Sequence, residues 1–166
     1  PYYIALSPSY DMTVTPTVYT GQGLHLRAEW RQRLERGEYS IRASGIRQFN
    51  RNVFNNQPGD QEWRGGIASE GDFALNSRWD FGWNLYLQSD RRYFRDYALE
   101  GQEGSRVVSN VFLTGLHDRS YFDARVERIE VTTIATGRQN QTWTLPVIDY
   151  DRRFTPGAIG GELQVL

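Results

Sequence analysis

The chain has 166 residues, no cysteine and a formal net charge of -1, so neither a disulfide framework, a thiolate metal site nor an overall electrostatic case for nucleic acid is available. Mean hydropathy is -0.64, and no window approaches the roughly 18 consecutive apolar residues of a membrane helix. A membrane strand is not excluded, because lumen-facing polar residues dilute the average in a transmembrane barrel.

The length suits one domain. Residues 4 to 23, IALSPSYDMTVTPTVYTGQG, alternate with period two: Ile4, Leu6, Pro8, Tyr10, Met12, Val14, Pro16 and Val18 form one side. This predicts a long strand with an apolar and a polar face, although Pro8 and Pro16 would each delete a ladder donor. Gly21-Gln22-Gly23 predicts a turn. LHLRAEWRQRL then alternates again, with Leu24, Leu26, Ala28 and Trp30 opposite His25, Arg27, Glu29, Arg31 and Arg33. Glu35-Arg36-Gly37 predicts a hairpin turn, followed by a strand over 38–49.

A polar loop at 50–62 precedes strands over 63–75 and 77–90. The second is the clearest in the chain, with Trp79, Phe81, Trp83, Leu85 and Leu87 alternating with Asp80, Gly82, Asn84, Tyr86 and Gln88. A longer connection at 91–104 leads to SRVVSNVFLTGL, a turn at His117-Asp118-Arg119, and SYFDARVERIEVTTI. The loop ATGRQNQ, a strand TWTLPVIDY and a turn at Thr155-Pro156-Gly157 complete the order. The opening on Pro1 and the interrupted alternation of GGELQVL read as the edges of an excerpt from a longer protein.

Short and long connections roughly alternate, with one break, and several strands span 10 to 14 residues. Soluble strands average about 5–6 residues, whereas a tilted membrane strand needs about 9–11 in hydrocarbon. Trp and Tyr near strand ends suit an interfacial girdle, though the inner face of a soluble barrel welcomes them equally. The pattern predicts an all-β, antiparallel up-and-down transmembrane β-barrel, here a single segment of roughly eight to nine strands. A soluble all-β fold, such as a ligand-binding barrel of lipocalin type, is the alternative. An open sheet with two unpaired edges is not expected to be stable alone in water.

Chemistry-bearing residues are sparse. His25 lies on a polar strand face and His117 in a turn; Ser120, His117 and Asp118 could be assembled into a triad on paper, but G-x-S-x-G is absent. Two isolated imidazoles make no metal site. No catalytic residue, metal or other cofactor is expected. The cluster SDRRYFRDY gathers Asp90, Arg91, Arg92, Tyr93, Phe94, Arg95, Asp96 and Tyr97. Its arginines could grip phosphate, but a self-compensated loop folded over the barrel end is the better reading. Arg27, Arg31 and Arg33 with Glu29 would line a lumen, either as a path for an anionic sugar-phosphate or as salt-bridged packing.

Three segments resemble one family, the barrel of the lipopolysaccharide-assembly protein LptD (organic solvent tolerance protein). They are PYYIALSPSYDMTVTPTVYTGQGLHLRAEWR, similar to the family's first two barrel strands; SDRRYFRDY, similar to a loop signature carrying Asp90, Tyr93 and Tyr97; and TLPVIDYDRRF, similar to an LP-containing strand. The likeness is weak from about 105 to 140 and implies the N-terminal third or so of the barrel. It implies a non-enzymatic Gram-negative outer-membrane translocon that inserts lipopolysaccharide into the outer leaflet, in contact with outer-membrane lipid. Its implied partners are the plug lipoprotein LptE and periplasmic bridge proteins, with no nucleic acid. By this resemblance Pro8 and Pro16 weaken the first strand so that the barrel seam opens as a lateral gate. Family disulfides have no counterpart here, and loops 50–62 and 91–104 depart from the family pattern.

Overall fold

The computed structural model describes residues 1–103, 105–132, 141–154 and 163–165. They form one 12-stranded sheet in which every pairing is antiparallel. The strands are β1 (Tyr2–Ser7), β2 (Tyr10–Tyr19), β3 (Gly23–Leu34), β4 (Gly37–Arg47), β5 (Trp63–Asn76), β6 (Trp79–Gln88), β7 (Gln102–Glu103), β8 (Arg106–His117), β9 (Ser120–Val131), β10 (Gln141–Trp143), β11 (Val147–Phe154) and β12 (Leu163–Val165). One four-residue helix, α1 (Tyr93–Asp96), and a 3-10 turn at Arg51–Phe54 interrupt them. The sheet runs in the order β1-β2-β3-β4-β5-β6-β8-β9-β11-β12, with β7 beside β8 and β10 beside β9. Among the described residues its two edges do not meet, so the expected all-β antiparallel class is present as an open sheet. Of the predicted loop at 135–141 all but Gln141, which opens β10, lies outside the described residues, as do the turn at 155–157 and most of the closing GGELQVL.

The pleat sorts side chains into cross-strand rows, because residues paired across an antiparallel ladder share a face. One face carries Met12–Trp30–Ile41–Ser69–Leu85 and Val14–Ala28–Ala43–Ile67–Leu87. The other carries Asp11–Arg31–Ser40–Glu70–Asn84 and Thr13–Glu29–Arg42–Ala68–Tyr86. The apolar face is the uncovered one: Val18, Leu26, Ile67 and Leu87 are 73%, 48%, 50% and 56% exposed. Aromatics gather at both ends. Tyr10–Trp30, Phe73–Trp83 and Trp79–Phe122 pack in the half nearer the short turns, and Phe49 and Trp63 stand exposed at the other end.

The opening stretch is a hairpin, not the single strand that alternation predicts. Pro8 and Ser9 form a two-residue turn, where proline's fixed φ is an asset and no ladder donor is missed. Beside that turn Ser7 pairs with Tyr10, but a bulge at Leu6 resets the register to Ala5↔Asp11 and Ile4↔Met12. That extra residue returns the even-numbered side chains of β1 to the face of the even-numbered side chains of β2. The alternation therefore runs unbroken through a chain reversal.

Pro16 is a strand residue, but it removes nothing from the β2–β3 ladder. Arg33 N–H donates to the carbonyl of Ser9 at 2.7 Å, and register 9↔33 is the one that pairs Thr15 with Arg27 and Thr17 with His25. Odd residues of β2 thus bond toward β3, and even residues turn toward β1. Since β1 pairing begins at Tyr2↔Val14, the donor lost at Pro16 points to an edge that no described strand covers.

TWTLPVIDY is likewise split, into β10 and β11, which pair with β9 in registers one residue apart (Trp143↔Arg128, Val147↔Arg125). The offset is a bulge at Leu145-Pro146, where proline cannot donate; Thr144 bridges it, its N–H and Oγ1 both reaching the Glu127 carbonyl at 2.9 and 3.0 Å.

Turns at 8–9, 35–36, 77–78 and 118–119 fall at one end of the sheet, and loops 48–62 and 89–105 at the other, with the short connection 20–22. The one break in the expected alternation is that short member of the loop end.

The hairpin carries a direct test. With Tyr3→Cys and Thr13→Cys the two thiols face each other across a non-bonded ladder pair and should form a disulfide under mild oxidation. A single continuous strand would hold them about 33 Å apart and give none.

Candidate functional site

The polar face is open near the short turns and covered at the loop end. Three rows lie under the cover: Thr17–His25–Ile46–Arg64, Arg27–Ser44–Gly66–Gln88, and Glu29–Arg42–Ala68–Tyr86. The segment after β6 turns back over them. Asp90 starts the turn, its carbonyl accepting from Tyr93 N–H at 3.1 Å and its Oδ1 from Arg92 N–H at 3.1 Å. Gln88 Oε1 accepts from Phe94 N–H at 3.2 Å, and Ala98 takes a left-handed φ of 49° where α1 unwinds.

Tyr93 and Phe94 are buried and join Ile46 and Val107 in the small core, with Tyr19, Tyr86, Tyr97 and Leu99 packed around them. Phe94 fits because β5 has no side chain at Gly66; a Cβ there would lie 2.7 Å from its ring. Tyr93 OH donates to Ser44 Oγ at 2.9 Å and lies 3.0 Å from His25 Nε2. A phenol has one hydrogen, so with it on Ser44 the imidazole Nε2–H is the donor in the second bond. The His25 ring also stacks on Tyr97 with centroids 4.9 Å apart.

Arg64 is the centre of the site, its side chain fully buried. Its Nε and Nη2 donate to Asp90 Oδ2 and Oδ1 at 2.7 and 2.8 Å, and Nη2 also reaches Asp96 Oδ2 at 2.9 Å. Three rings surround the guanidinium: Phe54 at 4.9 Å, Tyr97 at 5.3 Å and Tyr93 at 5.7 Å. A buried cation is tolerable only with such partners. Phe54 belongs to loop 48–62, which Gln48 anchors by donating to the carbonyls of Gly59 and Gln61 at 2.9 and 2.7 Å. The two loops thus meet on one arginine. A row below, Arg42 pairs with Glu70 of β5 and with Glu100 of the covering loop.

Of the residues singled out in the sequence, Asp90, Tyr93 and Tyr97 come together here. The cluster SDRRYFRDY is self-compensated rather than a free phosphate grip, with Arg92 paired to Asp96 at 3.2 Å and bonded to Gln57. Arg27, Arg31 and Arg33 share the polar face but not a cluster: Arg31 pairs with Asp11 at 2.8 Å and Arg33 with Glu38 at 3.1 Å, toward the short turns. Arg27 lies one row from His25. Pro8 lies in the β1–β2 turn, and Pro16 in β2 beyond the last described β1 pairing. Ser120 Oγ donates to the carbonyl of His117 at 2.9 Å, closing a turn rather than engaging the imidazole. Sequence reasoning missed Arg64 and the burial of His25; the available signal was an arginine at inward parity between Trp63 and Gly65-Gly66.

A family model described as LptD, LPS transport system D, matches residues 62–159. The chain belongs to this family. Relatives named LPS-assembly protein LptD are similar along most of it. That of Thiobacillus denitrificans is 30% identical over 96% of this chain and 20% of its own length. That of Xylella fastidiosa strain Temecula1 is 26% identical over 90% of this chain and 20% of its own, and that of Saccharophagus degradans 27% identical over 96% and 20%. The chain therefore spans about a fifth of the length of these relatives.

Two outcomes follow from the cover. Arg64→Ala strands Asp90 in a buried position, and amide exchange in 89–101 should report a loss of about 3–5 kcal/mol of local stability. Burial pushes the Tyr93 phenol from 10.0 up to about 12, and Tyr97 also upward for the same reason. A raised folded pKa means that the stabilisation is complete below pH 10 and is lost as pH climbs through about 12. Tyrosinate absorbance and loop exchange should rise together in that window, and Tyr93→Phe should remove that step.

Proposed function

We propose that this chain is the first part of an LptD-type outer-membrane barrel that moves lipopolysaccharide to the outer leaflet. The carrying observation is the inversion of its sheet. The loops cover the polar rows, and the apolar rows are left uncovered across β2 to β6. A barrel with lipid outside and a polar lumen needs this arrangement. A soluble barrel of lipocalin type needs the reverse, with apolar rows turned inward around its ligand. Strands of 10 to 14 residues in β2–β6, β8 and β9, with aromatics toward both ends, support the same reading. So do relatives named for LPS assembly.

In this reading acyl chains travel along the apolar face and sugars along the polar one, past Arg27, Arg31 and Arg33. The plug lipoprotein LptE would occupy the lumen, and periplasmic bridge proteins would deliver the lipid from the short-turn side. The free β1–β2 edge is the lateral gate. Pro8 ends β1, and Pro16 withholds a donor on the β1 side of β2, so backbone pairing at this end of the sheet is weakened. No catalytic step is part of the role.

The test is photocrosslinking in cells from Val14 and Val18, which flank Pro16 on the apolar face, in the full-length parent protein. Adducts with lipopolysaccharide at these sites are the expected result. Fractionation of the parent as a soluble protein without lipid adducts would return the lipocalin-type alternative.

A further inference from the structure

The carboxylates that neutralise the covered arginines come largely from a single segment. Arg64 is held by Asp90 and Asp96, and Arg42 by Glu100 in addition to Glu70. Asp90, Asp96 and Glu100 all belong to the stretch between β6 and β7. The strands themselves offer three arginines in these rows, Arg27, Arg42 and Arg64, against one carboxylate, Glu29, with Glu70 standing in the next row.

The contact geometry is that of an anion held in a fork. Asp90 places two oxygens on Arg64 at 2.7 and 2.8 Å, and Asp96 adds a third at 2.9 Å. Three oxygens converging on one guanidinium is what a phosphoryl group presents, and the planar fork accepts either ion bidentately. If the segment lifts, Tyr19 and His25 stay on β2 and β3 beside the arginine row and offer ring faces of the kind that stack on sugars.

We propose that segment 89–101 is a built-in competitor: it occupies, with its own carboxylates, a binding site for phosphorylated sugars formed by Arg42, Arg64 and Arg27. The resting protein holds the site closed because Tyr93 and Phe94 are buried along with Asp90. A phosphosugar therefore binds the closed form weakly and the released form well, since the apparent affinity scales with the fraction of open state. This deepens the proposed lipopolysaccharide route and rests on it for biological meaning. Binding to purified protein is nevertheless read separately from transport, so either can fail alone.

The experiment uses the full-length parent in detergent, with glucose 1-phosphate as probe and glucose as control. Asp96→Asn with Glu100→Gln weakens the competitor while leaving the bidentate Arg64–Asp90 pair, which keeps the site folded; circular dichroism checks that. The double variant should bind glucose 1-phosphate at least 10-fold more tightly than the parent, glucose should bind neither, and adding Arg64→Gln should abolish the gain. Equal affinity in parent and variant, or no binding by either, overturns the proposal. Inorganic phosphate binding as tightly as the sugar phosphate overturns its sugar component.

Discussion

A sheet whose larger apolar side chains face outward cannot be held together by burying them. This constraint shapes the rest of the molecule. Val18, Leu26, Ile67 and Leu87 contribute little while they stay exposed, and among the described residues the buried hydrophobic cluster is Ile46, Tyr93, Phe94 and Val107. Cohesion along the strands falls to the backbone ladders, each bond worth about 0.5–1.5 kcal/mol net. Cohesion across the polar face falls to ion pairs and hydrogen bonds. Arg64 is the most demanding of these, because a buried guanidinium ties two loops to the sheet or destabilises both.

The same constraint explains why proline is tolerated where it occurs. In a sheet stabilised by its ladders a proline inside a paired strand is costly. Pro8 escapes by making the turn, Pro146 by sitting in a bulge bridged by Thr144, and Pro16 by aiming its missing donor away from β3, where no described residue pairs with it. Only the last withholds a donor within a strand, and together with the short β1 that Pro8 ends it underlies the proposed gate.

Strand existence and facing were largely legible in the sequence. The alternation of Trp79 to Gln88, and of Leu24 to Trp30 against His25 to Arg31, predicts faces that the registers reproduce. The β1–β2 hairpin was not legible, because the Leu6 bulge preserves even-numbered parity through the turn and makes two strands read as one. His25 looked like a solvated polar-face residue; its burial depends on loop 89–101 crossing a row four strands wide, which no local pattern encodes. Asp90, Tyr93 and Tyr97 were visible as a cluster, but their partner Arg64 lies 26 residues before Asp90 and is brought there by register alone.

The central claim is that the apolar rows meet lipid and the polar rows meet the lumen. Oxygen accessibility of single spin labels scanned along β6, from Trp79 to Gln88, in the full-length parent in a bilayer tests it most directly. Period-two alternation is expected, with maxima at Phe81, Trp83, Leu85 and Leu87 and minima at Gly82, Asn84 and Tyr86. Uniform accessibility, or maxima at the even positions, would contradict it.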